Sequence, residues 1–464
     1  MKKGLVQVFL ANLIYLGITF FTNFILPKFI SVDSYAVIKT YSLYLFYIGF
    51  FHLGYNDGMY LEYGGKDIQS ITPNELGKNF YSILFVQLVF TVIAIIPAIY
   101  VHSPLFIMLA LTITLTNMVS YMKTLFQAVG EFKLYGRALN YERFFMLLGY
   151  LLLIFIVKSD DPYLYILVAL FASGITLLLL LRVTYKLNPF GKYVSFSRFE
   201  IKKNIMTGFP LLMGGLSSNI FTGIDRWFVK ILMGSFEFAM YSFAVSMENM
   251  INVFLTPITV SMYNFFCKEN KQEKVLRIKN AVLIWGFIII AAAFPAKWIL
   301  ENFLTTYVSS STIIFVLFAA QIFYVIIKGI YVNIYKAEQK QNIYMRQTFK
   351  MTIVAFGFNV LFYFINHSML AIALGTLATS IVWLIVCELD RPDLKFSTKQ
   401  IIYIVVLLSV YLYCGYKLDS IMGLLIYSSM GIVLSLIFMR DSFMYLITSG
   451  INMIKSRIAV VQKR

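Results

Sequence analysis

Charge is what this chain has least of. Only 13% of its 464 residues are Asp, Glu, Lys or Arg, against about 25% in a soluble domain. Cysteine is scarce too: Cys267, Cys387 and Cys414 lie far apart and imply neither a disulfide framework nor a metal-ligand spacing. The histidines His52, His102 and His367 are equally scattered, so no metal cofactor is expected. No phosphate-binding Gly-rich loop followed by Lys-Ser or Lys-Thr occurs, which removes ATP hydrolysis. Long polar connections are also missing, none exceeding about 20 residues between apolar stretches. A membrane glycosyltransferase or polymerase would have little room for its chemistry, and no enzyme activity is expected.

What the chain does have is apolar length. Hydrophobic residues make up 60% of it and the mean hydropathy is +0.78. Runs of about 20 apolar residues, enough to cross ~30 Å of hydrocarbon, recur from end to end. Backbone groups within lipid must find partners inside their own segment, so an all-α polytopic membrane protein is predicted. About fourteen transmembrane helices are expected, from residues 4–27 at one end to 420–439 at the other. The run after Met1-Lys2-Lys3-Gly4 is too long for a signal peptide and is taken as the first span.

The net charge of +17 does not point to nucleic acid. With both termini placed in the cytoplasm, most Lys and Arg fall on inner loops. Only Lys28, Lys158, Lys230, Lys297 and Lys417 fall on outer ones, as the positive-inside rule requires of a cytoplasmic (inner) membrane protein.

The longest inner connection, 186–203, divides the spans. Residues 1–185 are read as an N-terminal six-helix bundle and 204–388 as a second one. Two further transmembrane helices occupy 399–439, and a basic tail, 440–464, is expected to lie on the anionic inner leaflet. LPKFISVDSYAVI at 26–38 and VKILMGSFEFAMY at 229–241 echo each other: a Lys at a helix end, a short turn with an acid, then an aromatic residue and Ala. Two parallel bundles related by an axis along the membrane normal would enclose a central cavity suited to alternating access.

Within this apolar chain, SSNIFTGIDRW at 217–227 is out of place. At 100° per residue Gly214, Ser218, Thr222 and Asp225 share an arc flanked by Asn219 and Arg226, with Ile220, Ile224, Trp227 and Ile231 opposite. An unshielded charge at the bilayer centre costs at least ~2.5–3.5 kcal/mol. That face must therefore meet protein or a wet cavity, either to fix helix packing or to line a path. Glu248 lies in the next span, as a protonatable group, a partner for a cation or a neutral buried acid. Lys39 lies deep in the second span, and Lys28 and Lys230 stand at matching outer ends. Lys328, Glu142 and Arg143 are read as residues that snorkel to an interface.

Three segments carry a resemblance: GGLSSNIFTGIDRWFVKILMGSFEFAMYSFA at 214–244, FTNFILPKFISVDSYAVIKTYS at 21–42, and HLGYNDGMYLEYGGK at 52–66. With them the chain resembles the polysaccharide and O-antigen-unit flippases of the multidrug/oligosaccharidyl-lipid/polysaccharide exporter superfamily. The resemblance implies movement of undecaprenyl-diphosphate-linked oligosaccharides from inner to outer leaflet for capsule or O-antigen biosynthesis. It implies a cationic cavity, coupling to an H+ or Na+ gradient without a bound cofactor, and contact with membrane lipids, a polysaccharide polymerase and other assembly proteins. Arg226, Lys39, Lys28, Lys230 and Asn219 become candidates for the anionic substrate, and Asp225 and Glu248 for ion coupling. Relatives often carry Arg where this chain has Lys28, and Lys binds phosphate as a point charge without a bidentate fork. Two other readings remain: an ion-coupled multidrug exporter of the same fold, and a membrane polysaccharide polymerase.

Overall fold

The computed structural model describes residues 2–268 and 272–448, with side chains described for 12–250, 262, 265–267, 272–340 and 342–448. The greater part of the predicted basic tail, 449–464, lies outside the described residues. Among the described residues the regular structure is helical. Several helices begin with the same device, a capping oxygen followed by proline. Thr72 Oγ1 accepts from Glu75 N at the start of α4 (Pro73–Tyr100), and Ser103 and Asp161 do the same for α5 (Pro104–Ala128) and α7 (Pro162–Leu187). Proline has no N–H to satisfy at that position, and the cap oxygen takes up one of the donors left over.

Helices occupy all the predicted spans. Among the described residues ten helices are long and apolar enough to cross a membrane, or eleven if a bent pair counts as one span. α1 (Lys2–Phe29) and α9 (Ser235–Lys268) contain residues whose side chains are not described, and α8 (Arg198–Leu232) carries the polar stretch; none of the three is in that count. This is a multi-pass membrane protein.

The chain divides into two compact units, Met1–Arg226 with Gly234–Ala239, and Trp227–Met233 with Met240–Arg464. In the first, α5 is the central helix. It packs against α2 (Val32–Ile48), α3 (Tyr55–Tyr63), α4, α6 (Phe132–Leu152) and α7. In the second, the centre is α12 (Ser310–Ile326), buried along nearly its whole length. Against it pack α10 (Gln272–Ile290), α11 (Ala293–Asn302), α15 (Met369–Asp390) and α16 (Thr398–Lys417).

The second predicted span, 35–57, is broken. After α2 the chain makes a 3-10 turn, Gly49–His52, then turns by 57° into α3 through Leu53 (φ 52) and Gly54 (φ 87). A break within the bilayer frees backbone groups that water cannot reach. Here fully buried side chains meet them. Gln87 Nε2 donates to Phe51 O (3.3 Å), and Asn117 Nδ2 donates to Ile48 O (3.1 Å) and to Gln87 Oε1 (2.8 Å). His52 Nδ1 accepts from Gly54 N at 3.0 Å. Beyond the break α3 crosses α8 with backbones in contact: a Cβ at Gly58 would overlap the Asn204 carbonyl, and one at Gly208 the Gly54 carbonyl.

In the second unit α16 and α17 (Ser420–Phe438) lean on aromatic rings, with Gly415 facing Phe315, Gly423 facing Phe294 and Gly431 facing Phe287. Lys297, read from the sequence as a loop residue, belongs to α11 and donates to Gly415 O (2.8 Å) and Leu418 O (2.6 Å). It caps the last carbonyls of α16, where a cation also suits the helix dipole. Lys297→Met keeps the stem but leaves those acceptors bare. It should lower stability by about 1–3 kcal/mol, seen as an earlier melting transition in detergent. An unchanged transition would remove this capping role.

Candidate functional site

The first unit gathers cations from several helices into its interior. α6 shows how. Phe144, Leu148 and Leu152 recur at four-residue spacing and are 46–49% exposed, which marks the lipid-facing stripe. Glu142 and Arg143 lie well round the helix from that stripe and are half-buried. They do not snorkel to an interface, as the sequence reading had it, because the face that carries them turns inward.

Glu142 is met by two helices. Lys123 Nζ on α5 lies 3.2 Å from Glu142 Oε2, and Ser173 Oγ on α7 donates to Glu142 Oε1 at 2.7 Å. The guanidinium of Arg143 sits 5.3 Å from the ring of Tyr15 on α1. Lys39 on α2 lies over the ring of Tyr35 at 5.0 Å, close enough to Arg226 and Arg143 for their charges to act on it. Ser42 and Phe46, on the same face of α2, are exposed. Arg226 on α8 sits 5.6 Å from the Phe46 ring. Its Nε is buried without a hydrogen-bond partner, and no ion pair to it is found among the described residues.

Of the predicted residues, Lys39 and Arg226 therefore come together, joined by Arg143 and by Lys123 with its carboxylate. Asp225, next to Arg226, is 6% exposed and its Oδ1 accepts the Arg226 backbone N–H at 2.7 Å. Asn219 is half-buried on α8. Part of the polar stretch is bonded to its own helix: Thr222 Oγ1 donates to Ser218 O (3.1 Å) and Ser217 Oγ to Met213 O (3.0 Å). Lys28 is exposed near the end of α1, and Lys230 is half-buried in the last turn of α8.

Glu248 belongs to the second unit and has a set of its own. It accepts a hydrogen bond from Gln321 on α12, and the charge of Lys328 acts on it. Lys328 sits in a π-helical turn, Ile327–Tyr331, at 5.5 Å from the Tyr324 ring. It faces protein instead of snorkelling, because the span that carries it is buried nearly all round. π-turns within α-helices are frequent at functional sites. A cavity of about 460 Å³ in the same unit contains Glu338, Arg391 and Asp393. Arg391 there is already held by Glu338 and by Asp393 at 2.9 Å, so it offers no spare charge.

Comparison with known proteins follows the same direction. Residues 76–263 match the family described as "Polysaccharide biosynthesis protein". No curated protein matches the chain. Among solved structures, a lipid II flippase MurJ in an inward closed conformation is 14% identical, with a TM-score of 0.64 over 95% of this chain and 99% of that one. An inward-facing multidrug resistance MATE transporter of the MOP superfamily is 15% identical, with a TM-score of 0.55 over 83% of this chain and 99% of that one. At such identities the likeness is one of fold. The resemblance read from the sequence therefore stands: residues 76–263 carry the polysaccharide-biosynthesis pattern, and the chain has the polytopic fold shared by MurJ and the MATE transporters.

Proposed function

We propose that this protein is a flippase of the cytoplasmic membrane that carries undecaprenyl-diphosphate-linked oligosaccharide units from the inner to the outer leaflet. Both of its termini would face the cytoplasm, and its product would feed a surface-polysaccharide polymerase. One observation carries the reading. Arg226, with its Nε unpartnered, shares an apolar helical lobe with Lys39 and Arg143. Cations held so close together in low dielectric repel one another, and a bound anion would relieve that repulsion. A diphosphate supplies one, and a guanidinium beside an ammonium suits its oxygens. The MATE likeness admits a drug exporter, but a cationic drug would meet the wrong sign of charge here.

Coupling to an H+ or Na+ gradient is assigned to Glu248, with Asp225 as the second acidic candidate. Glu248→Gln should retain the Gln321 contact yet lose the dependence of transport on the gradient. If export in the variant still collapses when the gradient is dissipated, Glu248 has no coupling role.

The proposed function is tested by sidedness. In cells lacking the protein, lipid-linked repeat units should accumulate and stay inaccessible to an impermeant sugar-oxidising reagent applied outside. Equal outside labelling with and without the protein would end the proposal.

A further inference from the structure

Glu142 has no part in the reading above, yet two other helices converge on its carboxylate. Lys123 from α5 pairs with one oxygen at 3.2 Å, and Ser173 from α7 donates to the other at 2.7 Å. Arg143, its neighbour on α6, interacts with the same carboxylate and with Lys39. The pair is not sealed, since the Lys123 and Glu142 side chains remain 25% and 24% exposed inside a membrane-spanning lobe. An ammonium and a guanidinium are what a phosphate oxygen would ask for, and a carboxylate oxygen offers them the same acceptor geometry.

We propose that Lys123 and Arg143 form a second anion subsite, in which the Glu142 carboxylate, tethered by Ser173, is a resident anion that the acidic headgroup of the substrate displaces. The proposal rests on the flippase reading and adds to it a means of release. A cationic site strong enough to draw a diphosphate out of the leaflet would also retain it. Exchange removes the difficulty. When the headgroup arrives, Glu142 swings away from Lys123; when the headgroup leaves, Glu142 returns, and at no stage are the cations stripped bare in an apolar lobe. Glu142 thus weakens binding and hastens departure, while Lys123 and Arg143 provide the attraction.

The test uses the full-length protein in detergent with inorganic pyrophosphate as probe. Glu142→Gln keeps the shape and an acceptor for Ser173 but removes the charge that competes. It should bind pyrophosphate about tenfold more tightly, roughly 1.4 kcal/mol. In proteoliposomes given a polyprenyl-diphosphate substrate, apparent KM and kcat should fall together. Lys123→Gln should weaken pyrophosphate binding. Ser173→Ala loosens the hold on Glu142 without touching charge, and should tighten binding by a smaller factor even if Glu142→Gln does not fold. If both variants bind as the wild type does, and only their melting transitions fall, the carboxylate is a staple between helices and the subsite is refuted. If wild type and Arg226→Ala bind pyrophosphate equally or not at all, the flippase reading fails and takes the subsite with it. If Arg226→Ala weakens binding while Glu142→Gln and Ser173→Ala leave it unchanged, the subsite alone is lost.

Discussion

Arg226→Ala should leave the protein in the membrane at normal abundance and abolish surface polysaccharide. Most buried charges cannot be removed so freely: deleting one member of a buried pair strands the other, at about 3–5 kcal/mol. Arg226 has no such member among the described residues, and its Nε is already without a partner. Its removal also relieves the repulsion it exerts on Lys39. The melting transition should therefore hold or rise while export disappears. A charge-assisted hydrogen bond to the substrate is worth about 1.5–3 kcal/mol, or roughly ten- to a hundredfold in binding. Arg226→Lys keeps the charge but not the fork and should restore part of the activity. Surface polymer at the wild-type level in the alanine variant would take Arg226 out of the mechanism. A lowered melting transition would make it a packing residue instead.

The second large effect is expected where α3 crosses α8. Gly58→Val and Gly208→Val should prevent folding of the first unit, because each new Cβ would lie on a backbone carbonyl and not on a side chain that can turn aside. Overpacking usually costs about 1–3 kcal/mol with mobile neighbours; a clash between two helix backbones exceeds that and forces the helices apart. Neither variant should reach the membrane in quantity. The contrast lies along the same helix. A Cβ at Gly214 or Gly215 meets nothing within 4 Å, so Gly214→Ala and Gly215→Ala should stabilise α8 by about 0.5–1 kcal/mol each. Normal yield of Gly208→Val would show that the crossing is looser than it looks.

The positions of the helices were legible in the sequence because hydrocarbon imposes the same demand on every span. Their breaks were not. The predicted second span ran through 49–54, since Gly-Phe-Phe-His-Leu-Gly is as apolar as what surrounds it. What stabilises the turn comes from Gln87 and Asn117, on helices α4 and α5 far along the chain. The site was half legible. Lys39 and Arg226 declared themselves by depth alone, and depth survives into three dimensions. Arg143 and Glu142 were assigned to an interface because a charge near a span end usually reaches for water, and Lys123 drew no reading at all. The missed signal was the stripe Phe144, Leu148 and Leu152, which fixes the rotation of α6 and turns its neighbours inward. Rotation is written in the apolar residues, and attention to the charged ones alone overlooks it. Lys328 went astray in the same way, on a helix with no lipid-facing stripe to reveal which side is out.

The elbow between α2 and α3 has a mechanical consequence. Straightening it would pull Ile48 O and Phe51 O from the side-chain amides of Asn117 and Gln87 and leave those amides idle in a region without water, a penalty of about 1–3 kcal/mol for each. The bend is therefore a clamp and not a hinge. The α2 backbone that carries Lys39 therefore does not tilt by itself; where it moves, α3, α4 and α5 move with it as one lever.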